Sequence, residues 1–255
     1  MHMTSKSIFC AGQTPASRFA YTYLLSSGLP ITDSPRSDTG HILLDVPSFS
    51  PGGSLRGGGD IGDLLSNVPT DVTLYGGNLQ HPALKGYRTV DFLKDEAYLA
   101  TNAYITAECA LDVALPCLSV TIRECPVLII GWGRIGKCLA QLLQTISAEV
   151  TVAARKASDR GILQALGYNV LDTASMEKYL APFRLVYNTV PHPVLSREQC
   201  RNFRKDCILI DLASTEGIDC EDVIIARGLP GIHFPESSGK HIAKTFLKYY
   251  KEEAE

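Results

Sequence analysis

Residues 126–140 constrain the fold more than any other stretch. They begin with an apolar run rich in β-branched residues, Pro126-Val127-Leu128-Ile129-Ile130. They turn through Gly131-Trp132-Gly133-Arg134-Ile135-Gly136 and leave through Lys137-Cys138-Leu139-Ala140 in a helix-like pattern. Glycines spaced Gly-x-Gly-x-x-Gly are a weak signal alone, but between a strand and a helix they form a dinucleotide-binding fingerprint. Gly131 permits the tight turn, Gly133 has no side chain to hold a pyrophosphate away, and Gly136 lets the helix pack on its strand. The helix start then offers free N–H groups and a positive dipole end to phosphates. Gly131, Trp132, Gly133, Arg134, Ile135 and Gly136 are therefore expected to form a cofactor cradle.

The pattern around this turn is that of an α/β protein. From Pro126 onward, strand-like segments at 126–130, 148–153, 168–170, 184–189, 207–212 and 231–233 alternate with helix-like segments at 134–146, 158–166, 174–181, 196–202 and 220–226. Such alternation specifies a parallel sheet with helices on both faces, a Rossmann-type doubly wound fold. The first hundred residues read as a second, smaller α/β domain with strands at 7–11, 41–46 and 72–75 and a helix at 18–27. Six glycines and prolines crowd 51–59, so 50–62 reads as a mobile loop. The expected domains are 1–100, a helical linker 101–123 with a bend at Pro116, the dinucleotide-binding domain 124–236, and a C-terminal helix 237–255. That helix is amphipathic, with Ile242, Phe246 and Tyr249 or Tyr250 on one face, and its expected place is against the first domain.

Bulk properties narrow the function classes. With 255 residues, 45% hydrophobic content and a net charge of -3, the chain gives no reason to expect nucleic acid or an anionic membrane as partner. Residues 1–10 lack the apolar core of a signal peptide, and the weakly polar stretch 110–122 is too short to span a bilayer. The eight cysteines show no metal-like grouping with histidine, so no metal site is expected. Several sit in apolar runs, which suits a reducing cytoplasm.

The second strand of the repeat bears on the cofactor. NAD-binding folds place an acidic residue about 20 positions beyond the glycines, on the ribose 2′-OH. Here Ala153 and Ala154 hold that place, followed by Arg155, Lys156 and Ser158. An arginine forks onto a 2′-phosphate that a carboxylate repels, so NADP(H) is expected over NAD(H).

Further motifs lie beyond the other strands. Tyr187-Asn188-Thr189-Val190-Pro191-His192 and Asp211-Leu212-Ala213-Ser214 should border the nicotinamide, since ligands sit beyond the carboxyl ends of parallel strands. Gly228-Leu229-Pro230-Gly231 follows with Pro235 and Gly239, and Asn102, Thr106, Ala107, Glu108 and Ala110 precede the turn. In order and spacing these segments resemble the dipicolinate synthase A-subunit family of spore-forming bacteria. The resemblance implies NADP(H)-linked oxidation of dihydrodipicolinate, or its hydroxy-tetrahydro precursor, to dipicolinate, the calcium chelator of the spore core. It also implies a partner, a flavoprotein-like B subunit. Cys109 stands where the family has glycine and Ile232 where it has lysine, and the first domain is shorter and glycine-rich.

Candidate roles follow. Asn188, Thr189, Val190, Pro191 and Ser214 are expected on the cofactor. Glu108, read as lying near a helix start, His192 and Ser214 are candidates for positioning substrate or taking a proton. Thr106, Gly228, Leu229, Pro230 and Gly231 are candidates on the substrate side, and Arg18, Arg36 and Arg56 could meet its carboxylates. His233 and His241 read as structural or surface residues. D-2-hydroxyacid dehydrogenases share the glycine turn but carry an arginine just after the fifth strand. Here Thr215-Glu216-Gly217 follows Ser214 instead, which argues against that reading. A reductase of another cyclic imine or dicarboxylate, and a nucleotide-binding regulatory subunit without turnover, are the alternatives.

Overall fold

The computed structural model describes residues 6–254. The leaderless reading of residues 1–10 therefore rests partly on residues outside that range. The chain forms two compact units, one from residues 1–102 and 230–255, the other from residues 103–229.

The first unit carries β1 (Ser7–Cys10), α1 (Pro15–Ser26), β2 (Ile31–Thr32), β3 (Thr39–Leu43), α2 (Ile61–Leu65), β4 (Thr73–Gly76) and β5 (Arg88–Asp91). The five strands are parallel, in the order β2-β1-β3-β4-β5. The short edge strands β2 and β5 have no apolar alternation, and their sequence gives no strand signal. The chain then enters α3 (Glu96–Ala114), which crosses into the second unit and ends in a 3₁₀ turn at Pro116 rather than bending there. The glycine-rich stretch is a set of closed turns. Gly53, Gly58 and Gly59 supply positive φ, and Arg56 N–H donates to Ser48 C=O. Its last residues begin α2, capped by Asp60.

The second unit carries β6 (Pro126–Ile130), α4 (Arg134–Thr145), β7 (Glu149–Ala154), α5 (Ala157–Ala165), β8 (Asn169–Asp172), β9 (Leu185–Asn188), α6 (Arg197–Cys200), β10 (Ile208–Asp211) and β11 (Ile224–Ile225). All pairings are parallel, and the order is β11-β10-β9-β6-β7-β8. Counted within the unit this is 3-2-1-4-5-6 reversed, the dinucleotide-binding topology. Val127, Leu128, Ile129 and Ile130 are fully buried, as the central strand of a sheet covered on both faces must be. Gly136, Leu139, Ala140 and Leu143 form the buried stripe of α4.

Three expected elements differ. Residues 220–226 hold the edge strand β11 instead of a helix, because Ile224 and Ile225 pair with Ile210 and Asp211. Residues 231–233 are not a strand but the end of α7 (Leu229–His233), with Pro230 in its first turn, where proline favours a helix. Residues 174–181 contain only a 3₁₀ turn, Met176–Tyr179.

The last helix, α8 (Pro235–Ala254), packs on α1 in the first unit. Ile242, Ala243 and Phe246 are buried against Ala16, Ala20 and Leu24. At Gly239 the helices meet backbone to backbone: a Cβ there would collide with Ala16 O and Ala20 N. Asp95 fastens the other end. Its carboxylate accepts from the Ala97 and Tyr98 N–H groups, from Lys248 Nζ at 2.9 Å and from Tyr249 OH at 2.8 Å. Burial alone would raise this carboxyl, but those hydrogen bonds outweigh it and hold it well below the ordinary carboxylate range.

A carboxyl depressed by folding stabilises the protein above its unfolded pKa, and that contribution is lost as pH falls through the folded value. Asp95→Ala should therefore cost about 1–2 kcal/mol at pH 7. The gap between wild type and variant should narrow below about pH 4. Urea denaturation across that range measures it; a gap that widens in acid overturns the assignment.

Candidate functional site

The glycine turn has the properties that a pyrophosphate cradle needs. Gly131 has φ +109°, and a side chain there would collide with Thr189 Oγ1 and Val190. A Cβ at Gly136 would collide with Gly131 O, so α4 approaches β6 at backbone contact. A Cβ at Gly133 would meet nothing within 4 Å, and no side chain caps the first turn of α4. The residues thus fit a dinucleotide: an open space lies where a phosphate must approach, and helix-start N–H groups face it. Thr189 braces the turn, its N–H and its hydroxyl both donating to Ile130 C=O at 2.9 Å. Ile135 and Trp132 are half-buried and pack against the core, leaving their backbone to the cradle, and Arg134 is exposed.

An open cleft of about 530 Å³ runs beyond β6 and β7, lined by Gly131, Trp132, Arg155, Lys156, Asp159 and His192 among others. Ala153 and Ala154 are buried at the end of β7, and Arg155, Lys156 and Ser158 are exposed beyond it. Arg160, unremarked in the sequence, holds this corner. Its guanidinium donates to the Ala154 and Arg155 carbonyls at 3.0 and 2.7 Å and pairs with Asp172 at 2.9 Å.

Beyond β9 and β10 the rim is built around Asp211. Its fully buried carboxylate accepts from Asn188 Nδ2 and Ala213 N–H at 3.0 Å, Gly217 N–H at 2.7 Å and Ile218 N–H at 3.2 Å. Asn188, its neighbour in register, also accepts from Val190 N–H and donates to Val190 C=O. Gly217 lies so close that a Cβ would meet Asn188 Nδ2 and the carbonyls of Val190 and His192. The Asn188 side chain therefore makes its hydrogen bonds inside the protein.

Glu108 is exposed in the second half of α3, so it does not sit near a helix start and gains nothing from the dipole there. Thr106 is buried on that helix; Cys109 lies beside it in the core, where burial pushes its thiol up to about 12. Tyr187 OH donates to Ala110 C=O and ties β9 to α3. His192 lines the cleft with Arg155 and Lys156. Ser214 is exposed and caps no helix, because none follows it; Pro191 is exposed in its turn. Among the described residues no hydrogen bond or ion pair joins Glu108, His192 and Ser214. Gly228 takes φ +65° before α7, whose first turn buries Leu229 and Pro230 and contains Gly231, with Ile232 exposed. Arg18, Arg36 and Arg56 are exposed. His241 is structural, stacked on Tyr98 and bonded to its carbonyl.

Residues 107–227 match the family model of the D-isomer specific 2-hydroxyacid dehydrogenase NAD-binding domain. The dipicolinate synthase A subunit of Bacillus subtilis (strain 168) is 24% identical over 203 residues, covering 74% of this chain and 68% of that protein. The crystal structure of the dipicolinate synthase A subunit from Bacillus halodurans superposes with TM-score 0.83 at 19% identity, over 96% of this chain and 97% of that one. This chain resembles the dipicolinate synthase A subunit. The crystal structure of the Bacillus subtilis protein gives TM-score 0.80, also at 19% identity, over 99% and 97% of the two chains. The domain match supports a dehydrogenase-type oxidoreductase using a nicotinamide dinucleotide. It also brings back, for the nucleotide-binding portion, the likeness that the absent arginine argued against. Among the described residues no helix is long and apolar enough to cross a membrane, and no His, Cys, Asp and Glu grouping could hold a metal.

Asp211→Asn removes acceptor capacity from a cluster of donors and sets an amide N–H₂ against them. It should destabilise the protein by about 1–3 kcal/mol. Chemical denaturation measures this; an unchanged midpoint overturns the role given to the carboxylate.

Proposed function

We propose that this chain is an NADP(H)-dependent oxidoreductase that oxidises dihydrodipicolinate, or its hydroxy-tetrahydro precursor, to dipicolinate. The observation that carries this reading is the pyrophosphate cradle at Gly131, Gly133 and Gly136 in a chain similar to the dipicolinate synthase A subunit over nearly its whole length. Preference for the 2′-phosphate is supported by Arg155 and Lys156 on the cleft wall, where β7 ends in alanines instead of an acid. Asp159 also lines that wall and sets a limit on the preference.

The nicotinamide, when bound, supplies the hydride acceptor. The hydroxy-tetrahydro precursor first loses water to give the dihydro ring; the dihydro ring then gives up one hydride and one proton, and aromatisation drives the step. The protein's task is to align the ring and to receive that proton. Thr189 fixes the turn that positions the cofactor, and Asp211 fixes the loop carrying Ser214. Ser214, exposed at this rim, is the hydroxyl proposed to orient substrate or carboxamide. The proposed partner is a flavoprotein-like B subunit and the proposed setting a reducing cytoplasm; all eight cysteines are free. One observation favours a second reading, a nucleotide-binding regulatory subunit: among the described residues no hydrogen bond or ion pair joins Glu108, His192 and Ser214. Cys109 and Ile232, which depart from the family pattern, leave room for a reductase acting on another cyclic imine or dicarboxylate.

NADPH should raise the melting temperature more than NADH at equal concentration, and Arg155→Ser should erase the difference. Equal shifts in the wild type sink the cofactor preference. Freshly prepared dihydrodipicolinate with NADP⁺ should yield dipicolinate by absorbance. If none forms, with or without the flavoprotein-like partner, the dipicolinate synthase proposal fails and the regulatory reading and the reductase reading stand.

A further inference from the structure

A carboxylate substrate needs a cation at the nicotinamide end, and the loop after β10 supplies none. Residues 212–219 contain Glu216 and Asp219 but no lysine or arginine, and the Asp211 carboxylate is already engaged by four donors. Left to itself this rim would repel an anion.

The sixth strand brings the missing charge. In β11, Ile225 pairs with Asp211, and the next residue, Ala226, donates its N–H to Asp211 C=O at 2.9 Å. Arg227 therefore emerges at the carboxyl edge of the sheet, directly beside the loop that follows β10. Its Nε donates to Ala213 C=O at 3.0 Å, which fixes one edge of the guanidinium next to Ser214. Its acidic neighbour is Glu216, whose carboxylate stands 4.0 Å from Nη2, at the outer limit of an ion pair. The Arg227 side chain is 38% exposed and that of Glu216 70%, so both the Nη edge and its weak partner are open to exchange. A guanidinium anchored through Nε and open at its Nη atoms is preorganised for a planar carboxylate.

We infer that Arg227 binds a substrate carboxylate, delivering from the sixth strand a charge that the fifth-strand loop lacks. The inference deepens the proposed function and rests on its dicarboxylate substrate. Arg227 is a specificity-determining residue in this account, with Glu216 as the internal carboxylate that a substrate displaces.

The test uses the full chain saturated with NADPH and titrated with dipicolinate by calorimetry. Arg227→Gln should weaken dipicolinate binding by about tenfold or more, with NADPH affinity unchanged. Arg227→Lys should recover part of the loss. Pyridine-2,6-dicarboxamide, which is neutral, should not distinguish Arg227→Gln from wild type. Glu216→Gln separates recognition from mere loop fastening. It should tighten dipicolinate binding by removing the rival carboxylate, whereas a purely structural Arg227–Glu216 pair would make it mimic Arg227→Gln. That mimicry, or equal dipicolinate binding by wild type and Arg227→Gln, overturns the inference and leaves the dicarboxylate reading in place. A wild type that binds NADPH but no dipicolinate overturns that reading, and the inference with it.

Discussion

Each sheet ends in a buried aspartate that gathers backbone N–H groups from the loops above it, and the two units use this device to opposite effect. In the second unit Asp211 draws in the amides of Ala213, Gly217 and Ile218 and leaves the start of α4 alone. In the first unit Asp45 sits after β3 and accepts from the Gln13 and Thr14 N–H groups and from the Thr14 and Ser17 hydroxyls at the start of α1. The strand order 2-1-3-4-5 puts its switch point between β1 and β3, the usual place for a ligand in such a sheet. There the protein's own carboxylate occupies the helix start. An anionic ligand arriving at that switch point would meet a like charge and amides already spoken for. Two parallel sheets of related design thus differ in which donors the aspartate gathers, and at the start of α4 the helix N-terminus stays open for a phosphate.

What the sequence discloses depends on how local the cause is. The turn at Gly131–Trp132–Gly133 is written in adjacent residues, and its strand and helix are found where the apolar spacing puts them. β11 is not: Ile224 and Ile225 become an edge strand only because Ile210 and Asp211 lie alongside, on a strand earlier in the chain. Ile232 in 231–233 invites a strand, yet Pro230 in the first turn of α7 was a helix-start signal in plain view. At the site, the roles of glycines were legible because steric exclusion acts on the nearest atoms. The side chain of Asn188 was not, since its partner comes from the neighbouring strand and takes the polar atoms that a ligand would have used. Arg227 was hidden for the same reason, acting on the end of β10 from the residue after β11.

The match to a dehydrogenase nucleotide-binding domain covers residues 107–227, nearly the extent of the second compact unit. A cradle for a shared cofactor tolerates little variation, because its shape is set by backbone contacts at Gly131 and Gly136. The rim has more freedom. A charge needed there can come from any strand whose end reaches the loop, so sequence order is a poor guide to it while sheet order is a good one.

The membership of α8 in the first unit has a consequence for how the protein is made. Residues 103–229 are contiguous, so the second unit can fold as soon as that stretch has left the ribosome. The first unit is already mostly synthesised by then, yet the face of α1 bearing Ala16, Ala20 and Leu24 has no cover until Ile242 and Phe246 emerge. The half that begins the chain is thus the last to be finished.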